Sequence, residues 1–182
     1  EMPLWNPLNN CGMPFLAQWN TLTLYPLSLI YLLLPMPWSL GIFCLFHLFL
    51  AGMGMYYLAF RWTGHRLAGA VAGTLFAFNG LTWFGLMWPN NIAALGWMPW
   101  TVLAVEFAWR ADSTRFLPLA GLAAAIQILA GAPEVCLQTW FFIGLLWLRT
   151  LIRNEVPRPR LLWRAAALGI LVFGLTAAQM FP

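Results

Sequence analysis

Charge is what this 182-residue sequence has least of: 8% of its residues are Asp, Glu, Lys or Arg, while 62% are hydrophobic. An ordinary soluble domain carries roughly a quarter charged residues, and a water-facing surface cannot be built from so few. The five acids and two histidines include no acidic pair, so haem or metal ligation within the chain is not expected. Cys11, Cys44 and Cys136 have no CxxC or metal-ligand spacing and read as small buried apolar residues. A Cys11–Cys136 disulfide stays open, because both fall on the same expected side of a membrane. There is no P-loop, GxSxG, HExxH or dinucleotide fingerprint, which excludes the commonest soluble-enzyme chemistries.

Long hydrophobic runs are abundant. A bilayer core of about 30 Å takes roughly 20 residues of helix, and such runs cover residues 38–60, 67–87, 91–109, 116–131, 134–152 and 161–181. A shorter stretch, 22–34, contains Pro26 and is closed by Pro35, and it reads as an interfacial or re-entrant helix. The expected fold is all-α: a polytopic bundle of about six spans over residues 38–182, preceded by an extracytoplasmic loop over 1–37 that holds the short helix. The fourth run is short and rich in Ala and Gly, so it is expected inside the bundle. The Gly69/Gly73 spacing and the Gly52/Gly54 pair read as packing devices. The twelve tryptophans suit the headgroup level of a bilayer.

Arginine supplies all nine positive charges. Arg61 and Arg66 flank one turn, Arg110 and Arg115 another, and Arg149, Arg153, Arg158, Arg160 and Arg164 surround a third. The intervening turns carry none. The net charge of +4 therefore reads as a topology signal rather than a nucleic-acid surface. By the positive-inside rule the arginine loops are cytoplasmic and the amino-terminal segment lies outside. Glu106 and Arg110, spaced i,i+4, read as a snorkelling interfacial pair.

Polar side chains within membrane helices tend to face a bundle interior or a water-filled cavity. His47, Asn79, Gln127, Gln138 and Gln179 fall in the middle or outer parts of their runs, and the outer turns add Asn90, Asn91 and Glu134. If they converge, they line a polar cavity open to the outside. Each also has a plain structural reading. His47 suits a hydrogen bond to a neighbouring helix. Asn90 and Asn91 suit a helix start. Glu134 suits the positive end of a helix dipole. Glu1 and Glu134 are the carboxylates on the expected outer face, and neither stands out as a general base.

The amino-terminal run Glu1-Met2-Pro3-Leu4-Trp5-Asn6-Pro7-Leu8, then Cys11-Gly12-Met13-Pro14-Phe15-Leu16 and Leu24-Tyr25-Pro26-Leu27, resembles the signature of the YfhO-like bacterial membrane proteins, relatives of the GT-C glycosyltransferases. The likeness extends through His47–Tyr56, Gly73–Gly80, Trp97–Trp100 and Gly131–Glu134. It implies a membrane glycosyltransferase that takes a polyprenyl-phosphate-linked sugar on the outer face of the bacterial cytoplasmic membrane. Trp5, Asn6, Pro7, Gly12 and Pro14 would shape the outer loop, while His47, Asn79, Asn90, Asn91 and Glu134 would line the substrate cavity. The preceding span and acidic outer loop of such enzymes are not in this sequence, so the resemblance implies an amino-proximal fragment or a short relative. No catalytic residue and no cofactor is assigned. The competing expectation is a non-catalytic accessory or scaffold subunit, whose partners are membrane lipids and other transmembrane subunits.

Overall fold

Helices follow the apolar runs, and one run breaks where a side chain offers the backbone another partner. The computed structural model describes residues 5–6, 12–15, 18–36, 38–110 and 112–181. Two short strands, β1 (Trp5–Asn6) and β2 (Met13–Pro14), pair antiparallel, with Trp5 opposite Pro14 and Asn6 opposite Met13. Two 3₁₀ turns lead into α1 (Ile30–Leu33). The stretch expected to be too short to span is thus a 3₁₀ turn over Pro26–Leu29 that runs on into about one turn of α-helix.

Then come α2 (Trp38–Thr63), α3 (Arg66–Ala77), α4 (Gly80–Gly85), α5 (Pro89–Arg110), α6 (Phe116–Leu129), α7 (Pro133–Ile152) and α8 (Arg158–Met180). Of these, α2, α5, α7 and α8 are long and apolar enough to cross a membrane, and α3 and α6 are shorter apolar helices. This differs from six uninterrupted spans. The run at 67–87 divides at Phe78-Asn79. The Asn79 side chain accepts from the Thr82 backbone N–H at 3.0 Å, capping α4. Its Nδ2 and the Thr82 hydroxyl both donate to the Phe76 carbonyl, at 2.7 and 2.8 Å. A helix broken in an apolar setting needs such replacements, because its freed backbone groups have no water to turn to.

The central helix is α5: 67% of its most apolar 18-residue window is buried, against 28% in each of the other three long helices. It packs on α2, α6 and α7. The α2–α5 approach needs Gly54, where a Cβ would lie 2.6 Å from the Trp100 indole nitrogen. Likewise α2 meets α3 backbone to backbone, since a Cβ on Gly73 would lie 2.6 Å from the Gly52 carbonyl oxygen. The small residues therefore act as packing devices. On α6 the alanines Ala120, Ala123, Ala124 and Ala125 are buried while Leu119 and Leu122 are exposed, so this helix is interior on one face only.

One core cluster, containing Val105, Leu117, Ile143 and Leu168, ties α5, α6, α7 and α8 together. A second packs Leu22 and Tyr25 against α2, the first half of α5 and the α6–α7 turn. Outside these cores the large apolar side chains point outward: Phe49, Leu75, Phe141 and Ile170 are all more than 60% exposed. Such a surface suits acyl chains rather than water.

Candidate functional site

The turns without arginine meet at one end of the bundle. Asn90 Nδ2 donates to the Gly131 carbonyl at 3.1 Å and to Asn91 Oδ1 at 3.2 Å, joining the start of α5 to the α6–α7 turn. Gly131 has φ +77°, and a Cβ there would run into the Trp19 backbone carbonyl. That same carbonyl accepts from Gln179 Nε2 at 3.2 Å, so the amino-terminal segment is fastened to the end of α8. Glu134 follows in the first turn of α7, after Pro133 at the first helical position. Its side chain is exposed, and among the described residues no ion pair reaches it. The helix dipole favours its charge.

His47 is fully buried, and its hydrogen bonds are determinate. A carbonyl only accepts, so Nδ1–H donates to the Phe43 carbonyl at 2.7 Å. Nε2 is then the acceptor for the Tyr25 hydroxyl at 2.6 Å. The Tyr25 oxygen in turn accepts from the Trp97 indole N–H at 2.9 Å. Three distant parts of the chain are pinned by this relay: the amino-terminal segment, α2 and α5. The histidine is thus bonded to its own helix and to the amino-terminal segment, where a neighbouring helix was the expected partner.

The other expected site residues occupy separate places. Asn79 caps α4 at the helix break. Trp5 and Gly12 form one contact in the amino-terminal ladder: Gly12 has φ +106°, and a Cβ there would sit 2.7 Å from the Trp5 indole. Asn6 and Pro14 lie in the same ladder. Glycine at position 12 is therefore demanded by both backbone and neighbour. Pro7 and Cys11 lie outside the described residues, and Cys136 is a free thiol donating to the Gln127 carbonyl at 3.6 Å. Deeper in the bundle, Gln127 Nε2 donates to the Ala94 carbonyl at 3.1 Å and to the Thr139 hydroxyl at 2.7 Å, bridging α5, α6 and α7. Among the described residues, no group of three or more His, Cys, Asp or Glu side chains is placed to hold a metal ion.

At the opposite end the arginine turns are joined to one another. Glu106 Oε1 meets Arg110 Nε at 3.1 Å, and its Oε2 accepts from the Trp62 indole at 2.8 Å. Arg110 also pairs with Glu155 at 2.8 Å, and Arg160 with Asp112 at 3.0 Å. The snorkelling pair is thus the centre of a network linking all three turns. Arg164 has a role that its place among the topology arginines did not suggest. Only 3% exposed, it donates to the carbonyls of Ala108 at 2.9 Å and Asp112 at 3.1 Å. These carbonyls lie at and just beyond the end of α5, where the helix leaves acceptors unfilled.

No family model, curated protein or solved structure matches the chain.

Proposed function

We propose that this chain is the membrane-embedded part of a GT-C-like glycosyltransferase of the bacterial cytoplasmic membrane, acting at the end of the bundle that carries no arginine. The observation that supports this best is Glu134: an exposed carboxylate beside the Asn90–Gly131–Trp19 junction, at the end where the amino-terminal signature segment is fastened. The other described carboxylates, Glu106, Asp112 and Glu155, all lie at the arginine end in ion pairs.

In the proposed reaction an acceptor hydroxyl attacks the anomeric carbon of a polyprenyl-phosphate-linked sugar. The bond from that carbon to the phosphate oxygen breaks, the polyprenyl phosphate leaves, and Glu134 takes the acceptor proton. Six crossings fit this reading. The Asn90–Gly131 bond joins turns at one end, and the Trp62–Glu106 bond and Arg160–Asp112 pair join turns at the other; in this reading α3 with α4, and α6, supply the two crossings beyond the four long helices. The arginine end is then cytoplasmic.

A second reading is a scaffold subunit that binds other transmembrane chains. It is favoured by the use of His47, Asn79 and Asn90 in internal hydrogen bonds. The two separate in proteoliposomes given a radiolabelled polyprenyl-phosphate sugar and a membrane extract as acceptor source. Transfer or donor breakdown by the wild type, reduced at least tenfold in Glu134→Gln, supports the enzyme. No turnover by the wild type, with a stoichiometric transmembrane partner on gentle purification, supports the scaffold.

A further inference from the structure

Four guanidinium groups of the arginine end are held in two different ways. Arg110 and Arg160 are paired with carboxylates, and between them they engage Glu106, Glu155 and Asp112. Arg61 and Arg115 are instead laid on aromatic faces. The Arg61 guanidinium carbon sits 3.7 Å from the centre of the Phe107 ring, and that of Arg115 sits 4.9 Å from the centre of Phe116. The two rings stack on each other, with centres 5.8 Å apart and planes 26° apart. Arg61, the two rings and Arg115 are thus joined by successive contacts between the end of α2, α5 and the start of α6. Stacking uses the flat face of a guanidinium and leaves its edge N–H donors free, the donors that grip a phosphate in bidentate fashion.

Below Arg61 runs a cleft of about 540 Å³ between α2 and α5, walled by Tyr57, Phe60, Trp100, Leu103 and Phe107. Its apolar wall and cationic rim match the two halves of one molecule. We infer that this cleft binds an anionic phospholipid, with its phosphate on Arg61 and an acyl chain along Tyr57, Trp100 and Leu103. The occupant's charge follows from the rim: Arg61 is held over Phe107 there, and the described acids of that end are already paired. Its tail follows from the wall. Basic residues at a membrane surface attract anionic headgroups in general; here the rings add fixed orientation. The inference rests on the chain lying in a membrane and is independent of glycosyl transfer.

The test uses the whole chain in detergent, mixed with equal amounts of phosphatidylglycerol and phosphatidylcholine and examined by native mass spectrometry. Phosphatidylglycerol adducts are expected in at least fivefold excess over phosphatidylcholine. The variant Arg61→Gln should bring that ratio near one. Arg149→Gln removes equal charge from the same end and should leave the excess intact. Near-equal adducts in the wild type, an undiminished excess in the first variant, or an equal fall in both variants would overturn the site; the last outcome assigns the preference to diffuse charge.

Discussion

The Tyr25 hydroxyl lies 2.6 Å from His47 Nε2 and donates to it, while its own oxygen accepts from the Trp97 indole. One phenol thus completes a buried histidine and a half-buried tryptophan and fixes the amino-terminal segment to the helices. Removing the hydroxyl strands both. Tyr25→Phe is expected to destabilise the protein by about 1–3 kcal/mol, toward the lower figure because buried groups within a bilayer find substitute partners. Thermal unfolding in detergent measures the loss. Limited proteolysis should show residues 18–36 cut earlier than in the wild type, and an unchanged cleavage pattern would argue against the pin.

Gly73 tests the backbone contact of α2 with α3. A methyl group there would lie 2.6 Å from the Gly52 carbonyl oxygen, which is backbone and cannot swing aside. Gly73→Ala should therefore separate the helices and destabilise by about 1–3 kcal/mol, the usual penalty of overpacking. Gly144→Ala, where a Cβ meets nothing within 4 Å, serves as the control and should leave the unfolding midpoint unchanged or slightly raised. Equal effects of the two changes would mean that helix propensity, not contact, governs them.

Arg164 distinguishes a topology charge from a cap. If its role is to fill the carbonyls of Ala108 and Asp112, Arg164→Leu should lower stability by about 1–3 kcal/mol, and Arg164→Lys should restore part of it with one ammonium. A charge that acts only through the positive-inside rule would tolerate lysine fully. The unfolding midpoints of the two variants decide.

Glu134 should behave oppositely to these three. Exposed and outside any described ion pair, it can be changed to glutamine with little effect on the unfolding midpoint. The glycosyl-transfer reading expects activity to fall while stability holds. A large fall in stability would instead mark the carboxylate as a structural cap.

Orientation is open to direct labelling. In a chain whose native cysteines are replaced by serine, single cysteines at Asn20 and Thr114, both exposed, should react with membrane-impermeant maleimide from opposite sides. In intact inner-membrane vesicles of known sidedness, Thr114→Cys should label from the cytoplasmic face. Labelling of both from one face would contradict the six-crossing path.

The hydrophobic runs and the arginine placement determined the bundle's composition, its helix order and which turns share an end, because lipid-length helices and charge asymmetry are local properties of a chain. Residue type alone also marked His47, Asn79, Asn90 and Glu134 as unusual. What each does was not local. Phe78-Asn79-Gly80 has the composition of a turn, yet whether it breaks a span depends on Thr82 and Phe76 arriving to replace the lost bonds. His47 could point to a cavity or a partner, and only the folding back of Tyr25 against α2 and α5 chose the partner. Arg164 was indistinguishable from its neighbours in sequence, and became a cap only when α8 packed beside the end of α5. Arg61 and Arg115 were two basic residues among nine until Phe107 and Phe116 met. Hydrogen bonds and ring stacks between residues far apart in the chain are decided by how the helices pack, and that information is carried by the whole core rather than by any segment of it.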